Sequence, residues 1–312
     1  QSWRNRGEEA RRRYLSLEGG YHGDTFGAMA VGASSGFYAA WEDMLMEVAT
    51  VPFPETWQGD NGAEEKEAAA LAQLDAYLAE HGDETAAMIL EPLVQGASGF
   101  RMCRPEFLRA LVGRLKEAGI LVIFDEVMTG FGRTGELFAC VKADTVPDMI
   151  CLSKGLTGGF LPLAATVCRD EIHDAFLGDG FDKAFAHGHS YSANPLGCAA
   201  ANASIALLRT PKTQARLKVI EAGHRDGLAG LAGNKRFSKA RVMGTIAAFD
   251  IAGEDADYAA AIGERLKSFF LDEGLVIRPL GNTIYLLPPY CIGDAELAAA
   301  YDGIGRALES VK

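Results

Sequence analysis

The sequence contains no apolar run approaching the roughly 20 residues that a membrane-spanning helix needs, and its first residues lack the apolar core of a signal peptide. Its six cysteines stand singly, and its close histidine pair, His187 and His189, has no cysteine or carboxylate cluster beside it. Positive charge is also scarce, since 42 acidic side chains against 30 basic ones leave a formal net charge of -12. We therefore predict a cytoplasmic globular protein that has no metal site and binds neither nucleic acid nor membrane.

Short apolar runs alternate with amphipathic stretches from residue 86 to about residue 170, a rhythm typical of βα units and a mainly parallel sheet. Apolar residues at helical spacing predict two helices in this part of the chain, Pro105–Ala118 and Asn194–Leu208. The polar residues 53–70, with their prolines and glycines, indicate a surface loop. The predicted strands are Ala86–Leu90, Ile120–Asp125, Met149–Leu152 and Ala164–Cys168.

After residue 209 the pattern restarts, and 312 residues exceed the roughly 250–300 at which a single core stops growing. The predicted fold class is therefore α/β, with a large domain over residues 1–209 that contains the mainly parallel sheet and a smaller α/β domain over residues 210–312. For the smaller domain the pattern predicts a helix near Lys212–Leu231, a strand Val242–Ile251, a helix Tyr258–Glu273, short strands around Val276–Arg278 and Ile284–Leu287, and a final helix.

Two residues at the ends of predicted strands suggest cofactor chemistry. Lys154 follows one apolar run into a turn rich in glycine and threonine, and Asp125 ends an earlier run. A buried lysine amine can react with an aldehyde cofactor, and a cofactor's ring nitrogen needs a carboxylate partner to stay protonated. The pair suggests a pyridoxal phosphate enzyme, the alternative being a loop-end lysine and a strand-end cap. Residues 130–135 also match the G-x-G-x-x-G pattern of dinucleotide sites, but the carboxylates before them would repel a pyrophosphate.

Four segments in this order are similar to the signature of the class III, fold-type I aminotransferases: GYHGDTFGA at 20–28, EPLVQG at 91–96, DEVMTGFGRTG at 125–135 and SKGLTGG at 153–159. The similarity runs essentially from end to end. It implies a fold-type I α/β structure, pyridoxal 5′-phosphate as cofactor, and a homodimer whose two active sites are shared between the subunits.

The resemblance implies a role for each residue around the cofactor. Lys154 would hold the cofactor covalently and act as the general acid and base. Asp125 would pair with the ring nitrogen, and Tyr21 would lie against the ring and near the substrate, with its neighbour His22 serving a structural role. Ser190 falls where the family usually has a threonine that donates to the cofactor phosphate from the neighbouring subunit.

Further residues match positions that contact the substrate in the family. Arg278 matches an arginine that binds the substrate carboxylate, and Tyr285 a tyrosine associated with a sulfonium amino donor, although a packed strand aromatic is its alternative. Gly188 and Asp24 match positions beside the substrate pocket, the alternative for Asp24 being a turn beside a glycine. Arg133 either holds the glycine loop or takes part in catalysis.

Within the family the chain most resembles the branch that converts 8-amino-7-oxononanoate to 7,8-diaminononanoate in biotin biosynthesis with S-adenosylmethionine as amino donor. The segments NPLGCAAANAS at 194–204 and IRPLGNTIYLLPPY at 277–290 carry this likeness, whereas HGHS at 187–190 departs from it. The alternatives are a class III aminotransferase for an ω-amino acid, a diamine or a semialdehyde, and an inactive fragment or assembly subunit. Relatives have a further N-terminal segment with a phosphate-binding loop, so we expect these 312 residues to be an N-terminally truncated, poorly active chain.

Overall fold

The computed structural model of the protein describes residues 1–254 and 260–310. None of the helices in these ranges is both long and apolar enough to cross a membrane. The strands are β1 (Arg13–Leu17), β2 (Ala49–Val51), β3 (Thr85–Leu90), β4 (Val94–Gln95), β5 (Arg101–Met102), β6 (Leu121–Asp125), β7 (Met149–Leu152), β8 (Ala165–Cys168), β9 (Phe237–Met243), β10 (Ile246–Ile251) and β11 (Thr283–Leu286). The helices are α1 (Ser2–Asn5), α2 (Phe26–Val31), α3 (Ala63–His81), α4 (Pro105–Glu117), α5 (Ala139–Lys142), α6 (Asp170–Asp174), α7 (Pro195–Leu208), α8 (Pro211–Leu231), α9 (Ala261–Asp272) and α10 (Asp294–Ser310).

The central sheet has the order β2-β1-β3-β6-β7-β8. Its strands pair in parallel except for β8, which runs antiparallel to β7. The four strands that were predicted for this part of the chain are all present, so the mainly parallel α/β sheet is confirmed. Helix α4 buries its apolar face, including Phe107, Leu108 and Leu111, in the largest core cluster.

The second sheet is antiparallel, has the order β11-β10-β9, and lies in the C-terminal third of the chain. A single strand over Val242–Ile251 is wrong, because Gly244 and Thr245 form a turn that separates β9 from β10. Residues 276–278 are irregular rather than a strand, whereas β11 confirms the strand predicted around Ile284–Leu287. The helix predicted over Tyr258–Glu273 corresponds to α9, and its predicted start, Tyr258, lies outside the described residues. The domain division at residue 209 stays a prediction.

The surface loop predicted over residues 53–70 is also wrong in part. Phe53 and Pro54 are buried, and α3 begins at Ala63. Helix α3 packs on the main core through Ala70 and Leu74, with Leu71, Tyr77 and Leu78 partly buried against the same core. Many of its other positions are alanines, so apolar and polar residues alternate with weak helical periodicity, and the start of the helix is easily read as a loop.

The turn between β9 and β10 packs directly on the glycine loop after β6. Thr245 donates its backbone N–H to the carbonyl oxygen of Arg133 at 2.9 Å. Gly244 has φ +57°, and a Cβ at this position would lie 2.1 Å from the backbone nitrogen of Gly135. Only a residue without a side chain can occupy a turn that lies so close to another backbone segment.

We expect Gly244→Ala to lower the free energy of unfolding by about 3 kcal/mol or more, because the methyl group meets backbone atoms that cannot move aside and the left-handed φ disfavours alanine. Gly113→Ala is the matched control, because Gly113 lies inside α4 with no atom within 4 Å of the added Cβ. It should stabilise the protein by up to about 1 kcal/mol. Urea unfolding of the two variants checks this, and equal effects would contradict the packing described for Gly244.

Candidate active site

Four neighbouring strands of the central sheet, β1, β3, β6 and β7, are parallel and therefore end at the same edge. The turn after β1 contains Tyr21 and His22, β3 is followed by Glu91, β6 ends at Asp125, and Lys154 lies two residues after β7. The carboxyl edge of a parallel sheet is where open α/β folds bind their ligands. The arrangement places an amine, two carboxyls, an imidazole and an aromatic ring along one edge.

Asp125 is held in place by two hydrogen bonds. Its Oδ2 lies 2.8 Å from Nδ1 of His22, and its Oδ1 accepts the backbone N–H of Val127 at 3.0 Å. The His22 side chain is 1% exposed and that of Asp125 is 10% exposed, so water competes little for this contact. His22, for which only a structural role was predicted, thus contacts the Asp125 carboxylate directly.

Glu91 is a buried carboxyl group that joins two loops of this edge. Its Oε2 accepts the backbone N–H of Tyr21 at 3.1 Å, and its Oε1 accepts that of Gly96 at 3.0 Å. Burial raises the pKa of Glu91 to about 7, against the opposing effects of His22 and of the two backbone donors. Glu91 is the first residue of one of the four signature segments, but no role was predicted for it from the sequence.

Lys154 begins a short 3₁₀ turn, Lys154–Thr157, in the left-handed conformation with φ +41°. Its side chain is exposed, and within the described ranges its amine makes no hydrogen bond or ion pair. The turn packs closely on the glycine loop after β6, because a Cβ on Gly155 would lie 2.8 Å from the Phe131 side chain. The amine is therefore accessible on a backbone segment that packs against this loop.

Tyr21 and Asp24 lie together, as two of the predicted site residues. The Tyr21 hydroxyl donates to Oδ1 of Asp24 at 3.0 Å, and the Tyr38 hydroxyl lies 3.2 Å from the same oxygen. The two tyrosine rings are stacked, with centroids 6.2 Å apart. Burial, followed by the contact with Asp24, raises the pKa of Tyr21, so its hydroxyl stays protonated at neutral pH.

Glu126 and Arg133 hold the loop between Asp125 and α5. Glu126 is fully buried and accepts the backbone N–H groups of Ala139 and Cys140 at 2.7 and 2.8 Å, and burial raises its pKa. Arg133 donates to the carbonyl oxygen of Pro288 at 2.7 Å, and its guanidinium lies 4.7 Å from the ring centroid of Tyr290. Of the two roles left open for Arg133, these contacts favour the structural one.

The remaining predicted residues lie on other segments. Tyr285 is on β11, with its ring stacked on Phe100 at 4.2 Å between centroids. Arg278 is exposed in the segment that precedes β11. Gly188 and Ser190 lie in an exposed stretch before α7 and, in the described structure, make no hydrogen bond to the residues at the sheet edge.

The groups at the sheet edge suit a pyridine aldehyde cofactor. An unpartnered, accessible amine can bond to an aldehyde, and a carboxylate fixed by an imidazole can pair with a protonated ring nitrogen. Asp125 ends β6, and Lys154 lies two residues after the adjacent strand β7. The two strands pair in parallel, with Asp125 opposite Cys151. The described residues contain no cluster of three or more histidine, cysteine or acidic side chains that could hold a metal ion.

A protein-family model described as "Aminotransferase class-III" matches residues 1–308. Among curated proteins, the adenosylmethionine-8-amino-7-oxononanoate aminotransferase of Synechococcus elongatus is 50% identical over 311 residues, which cover 100% of this chain and 72% of that protein. The protein of the same name from Geobacter sulfurreducens is 35% identical over 320 residues, covering 100% of this chain and 71% of its own length.

Solved structures of aminotransferases also superpose on this chain. The aminotransferase of that name from Methanocaldococcus jannaschii superposes with a TM-score of 0.90 at 31% identity, over 100% of this chain and 71% of its own. An amine transaminase from an uncultivated Pseudomonas species superposes with a TM-score of 0.92 at 30% identity, over 100% of this chain and 72% of its own. The fold-type I architecture is confirmed by these likenesses.

We expect Glu91→Gln to reduce the pH dependence of stability. The folded-state pKa of Glu91, about 7, lies above the ordinary 4.5, so raising the pH through this window ionises the unfolded chain first and destabilises the fold. Between pH 5 and 8 the wild-type protein should lose roughly 2 to 3 kcal/mol of unfolding free energy that the variant keeps. Urea unfolding of both proteins without cofactor measures it, and parallel pH profiles would contradict the raised pKa.

Proposed function

The chain belongs to the class III aminotransferases, and we propose that it uses pyridoxal 5′-phosphate to convert 8-amino-7-oxononanoate to 7,8-diaminononanoate, with S-adenosylmethionine as amino donor, in biotin biosynthesis. The observation that carries this proposal is the 50% identity, over essentially the whole chain, to an aminotransferase named for these two substrates. The accessible amine of Lys154 and the anchored carboxylate of Asp125 support the reaction type.

The bound cofactor supplies the electron sink that allows an amino group to pass from donor to acceptor. In our proposal Lys154 would hold the cofactor until the amino donor displaces it, and its freed Nζ would then carry a proton between the two reacting carbons as general base and acid. Asp125 keeps the ring nitrogen protonated, and its contact with His22 fixes the orientation of the carboxylate. Tyr21, whose backbone is held by Glu91, lies against the ring.

We propose that substrates are oriented by groups on the C-terminal part of the chain. Arg278 binds the carboxylate of the oxo acid far from the reacting carbon, a task for which a planar guanidinium with paired donors is suited. Tyr285 contacts the sulfonium donor, and Gly188 and Asp24 lie along the substrate pocket. The exposure of Arg278 and Asp24 supports contact with a ligand from solution.

A homodimer with shared active sites is part of the proposal. The stretch from residue 160 to α7 exposes large apolar side chains, including Phe160 and Phe181 at 81% and Tyr191 at 75% exposure. Contiguous exposed apolar surface favours a protein interface. Ser190 lies in this stretch, and we propose that its hydroxyl donates to the cofactor phosphate in the site of the other subunit.

A second candidate is a class III aminotransferase for another amine. The similarity to an amine transaminase at a TM-score of 0.92 favours it, and so does the HGHS segment at residues 187–190. Both candidates use Lys154, Asp125 and Tyr21 in the same way, so only the substrate contacts separate them. An inactive assembly subunit is disfavoured by the intact pair of Lys154 and Asp125.

The proposal is tested by two half-reactions. The protein is loaded with pyridoxal phosphate, treated with S-adenosylmethionine until the absorbance of the lysine-bound cofactor is lost, freed of donor, and given 8-amino-7-oxononanoate. We expect loss and then recovery of that absorbance, and Lys154→Ala, the control, should show neither. Recovery only with a simpler aldehyde or keto acid would favour the second candidate. Failure of borohydride to link cofactor to Lys154 would favour an inactive chain.

We expect Tyr285→Phe to lower kcat/KM for S-adenosylmethionine by about 10-fold and that for a simple primary amine much less, because one hydrogen-bonding hydroxyl is lost at the donor contact. Tyr301→Phe is the matched control, since its hydroxyl bonds to the buried His224 at 2.8 Å within the C-terminal part of the chain. That variant should lose stability without a change of donor preference. Equal donor preference in both variants would remove Tyr285 from the donor contact.

A further inference from the structure

The loop of residues 96–100, here called the docked loop, joins β4 to β5 and packs on the antiparallel sheet. Two successive residues in it adopt the left-handed conformation, Gly99 with φ +79° and Phe100 with φ +52°. A Cβ on Gly99 would lie 3.1 Å from Oγ1 of Thr283 on β11, so the loop backbone touches this strand. A phenylalanine rarely adopts a positive φ unless its surroundings hold it there.

Arg241 on β9 provides that restraint. Its Nε donates to the carbonyl oxygen of Phe100 at 3.0 Å, and its Nη2 donates to that of Gly99 at 2.6 Å. The same guanidinium also donates to Oδ1 of Asp250 at 2.8 Å and to the carbonyl oxygen of Lys239 at 2.7 Å. Arg241 is 6% exposed, so these bonds are shielded from water. The planar fork of one arginine therefore holds two consecutive carbonyl groups of the docked loop.

The loop in turn holds the ring of Tyr285. The rings of Phe100 and Tyr285 are stacked, with centroids 4.2 Å apart and planes at 27°. Phe100 is 6% exposed, whereas Tyr285 on β11 is partly exposed. One face of the Tyr285 ring is thus covered by Phe100, while the side chain as a whole stays partly exposed.

We propose that Phe100 and Arg241 are positioning residues for selection of the amino donor, because they fix the plane in which Tyr285 meets it. The proposal rests on the proposed function, in which Tyr285 contacts S-adenosylmethionine. A cation is attracted to the face of an aromatic ring, and this attraction depends on the orientation of the ring. A sulfonium donor is therefore more sensitive to a tilt of Tyr285 than an uncharged alkyl chain is.

The chemistry of Arg241 predicts which substitutions matter. A lysine at this position keeps the charge but presents one ammonium on a flexible stem, which lacks the rigid planar fork that holds the carbonyl groups of residues 99 and 100 in a fixed geometry. A leucine in place of Phe100 keeps an apolar side chain but removes the flat surface on which Tyr285 lies. A tyrosine in place of Phe100 keeps that surface.

The test compares the cofactor-loaded wild-type protein with Phe100→Leu, Phe100→Tyr and Arg241→Lys. The measured quantity is kcat/KM for S-adenosylmethionine divided by kcat/KM for a simple primary amine donor. We expect a fall of about 10-fold in this ratio for Phe100→Leu and for Arg241→Lys, which comes from a raised KM for the sulfonium donor with kcat changed less than about 2-fold. Phe100→Tyr should keep the wild-type ratio.

Two control variants separate positioning from a general loss of stability. Phe107→Leu changes a buried core phenylalanine of α4, and Arg104→Lys breaks the two-bond pairing of Arg104 with Glu67, at 2.8 and 2.7 Å. Both should lower the thermal stability and leave the donor ratio unchanged. Because Arg241→Lys keeps a buried cation beside Asp250, it provides an independent test if Phe100→Leu does not fold.

The outcomes are distinguishable. If the wild-type protein uses S-adenosylmethionine and the ratio falls in the two test variants only, the proposal stands. If the ratio is the same in the test and control variants, Phe100 and Arg241 are merely structural and the proposal is overturned while the proposed function survives. A wild-type protein that accepts the simple amine but not the sulfonium donor overturns both.

Discussion

The parallel pairing of β1, β3, β6 and β7 is the constraint on which the candidate site depends. Asp125 stands opposite Cys151 in the β6–β7 pairing, and this register delivers the aspartate and the turn of Lys154 to one edge. Side chains alternate between the faces of a sheet, so a shift of one residue would turn Asp125 to the other face and break its contact with His22. The apolar residues of β6, such as Val122 and Phe124, oppose such a shift because they are fully buried.

Buried carboxyl groups then fix the loops that follow these strands. Glu91 bonds to backbone N–H groups of two different loops, and Glu126 bonds to those that open α5. Burying a carboxyl group costs free energy that such hydrogen bonds offset, so loop conformations that keep these bonds are favoured over those that break them. The raised pKa of Glu91 reflects that cost. A site with so many fixed backbone segments needs little reorganisation when a ligand enters.

The sequence allowed four of the six strands of the central sheet and the helices α4, α7 and α8 to be predicted, because their apolar patterns are strong. It suggested Lys154 and Asp125 as site residues because cofactor chemistry requires those residue types, and their roles stay predictions. It did not reveal the partner of Asp125, since a contact between His22 and a strand about a hundred residues later depends on tertiary packing. The turn at Gly244 was missed for a similar reason. A glycine is required there because the backbone of Gly135 lies so close, and Gly135 is distant in the sequence. Arg241, which lies within β9, carries no local sequence signal of its bonds to the docked loop.

The homodimer that we propose would account both for the exposed stretch from β8 to α7 and for the position of Ser190. All four residues of β8 are exposed, and Phe185 and Leu196 follow with 66% and 72% exposure. Such a surface is costly in water, whereas a contact with a second copy would cover it. A two-fold contact places the same patch on both sides, so a hydroxyl that lies away from the site of its own chain can reach the site of the other. Within the described chain Ser190 makes no hydrogen bond to the sheet-edge residues, and in the shared site that we propose its hydroxyl would act on the other subunit.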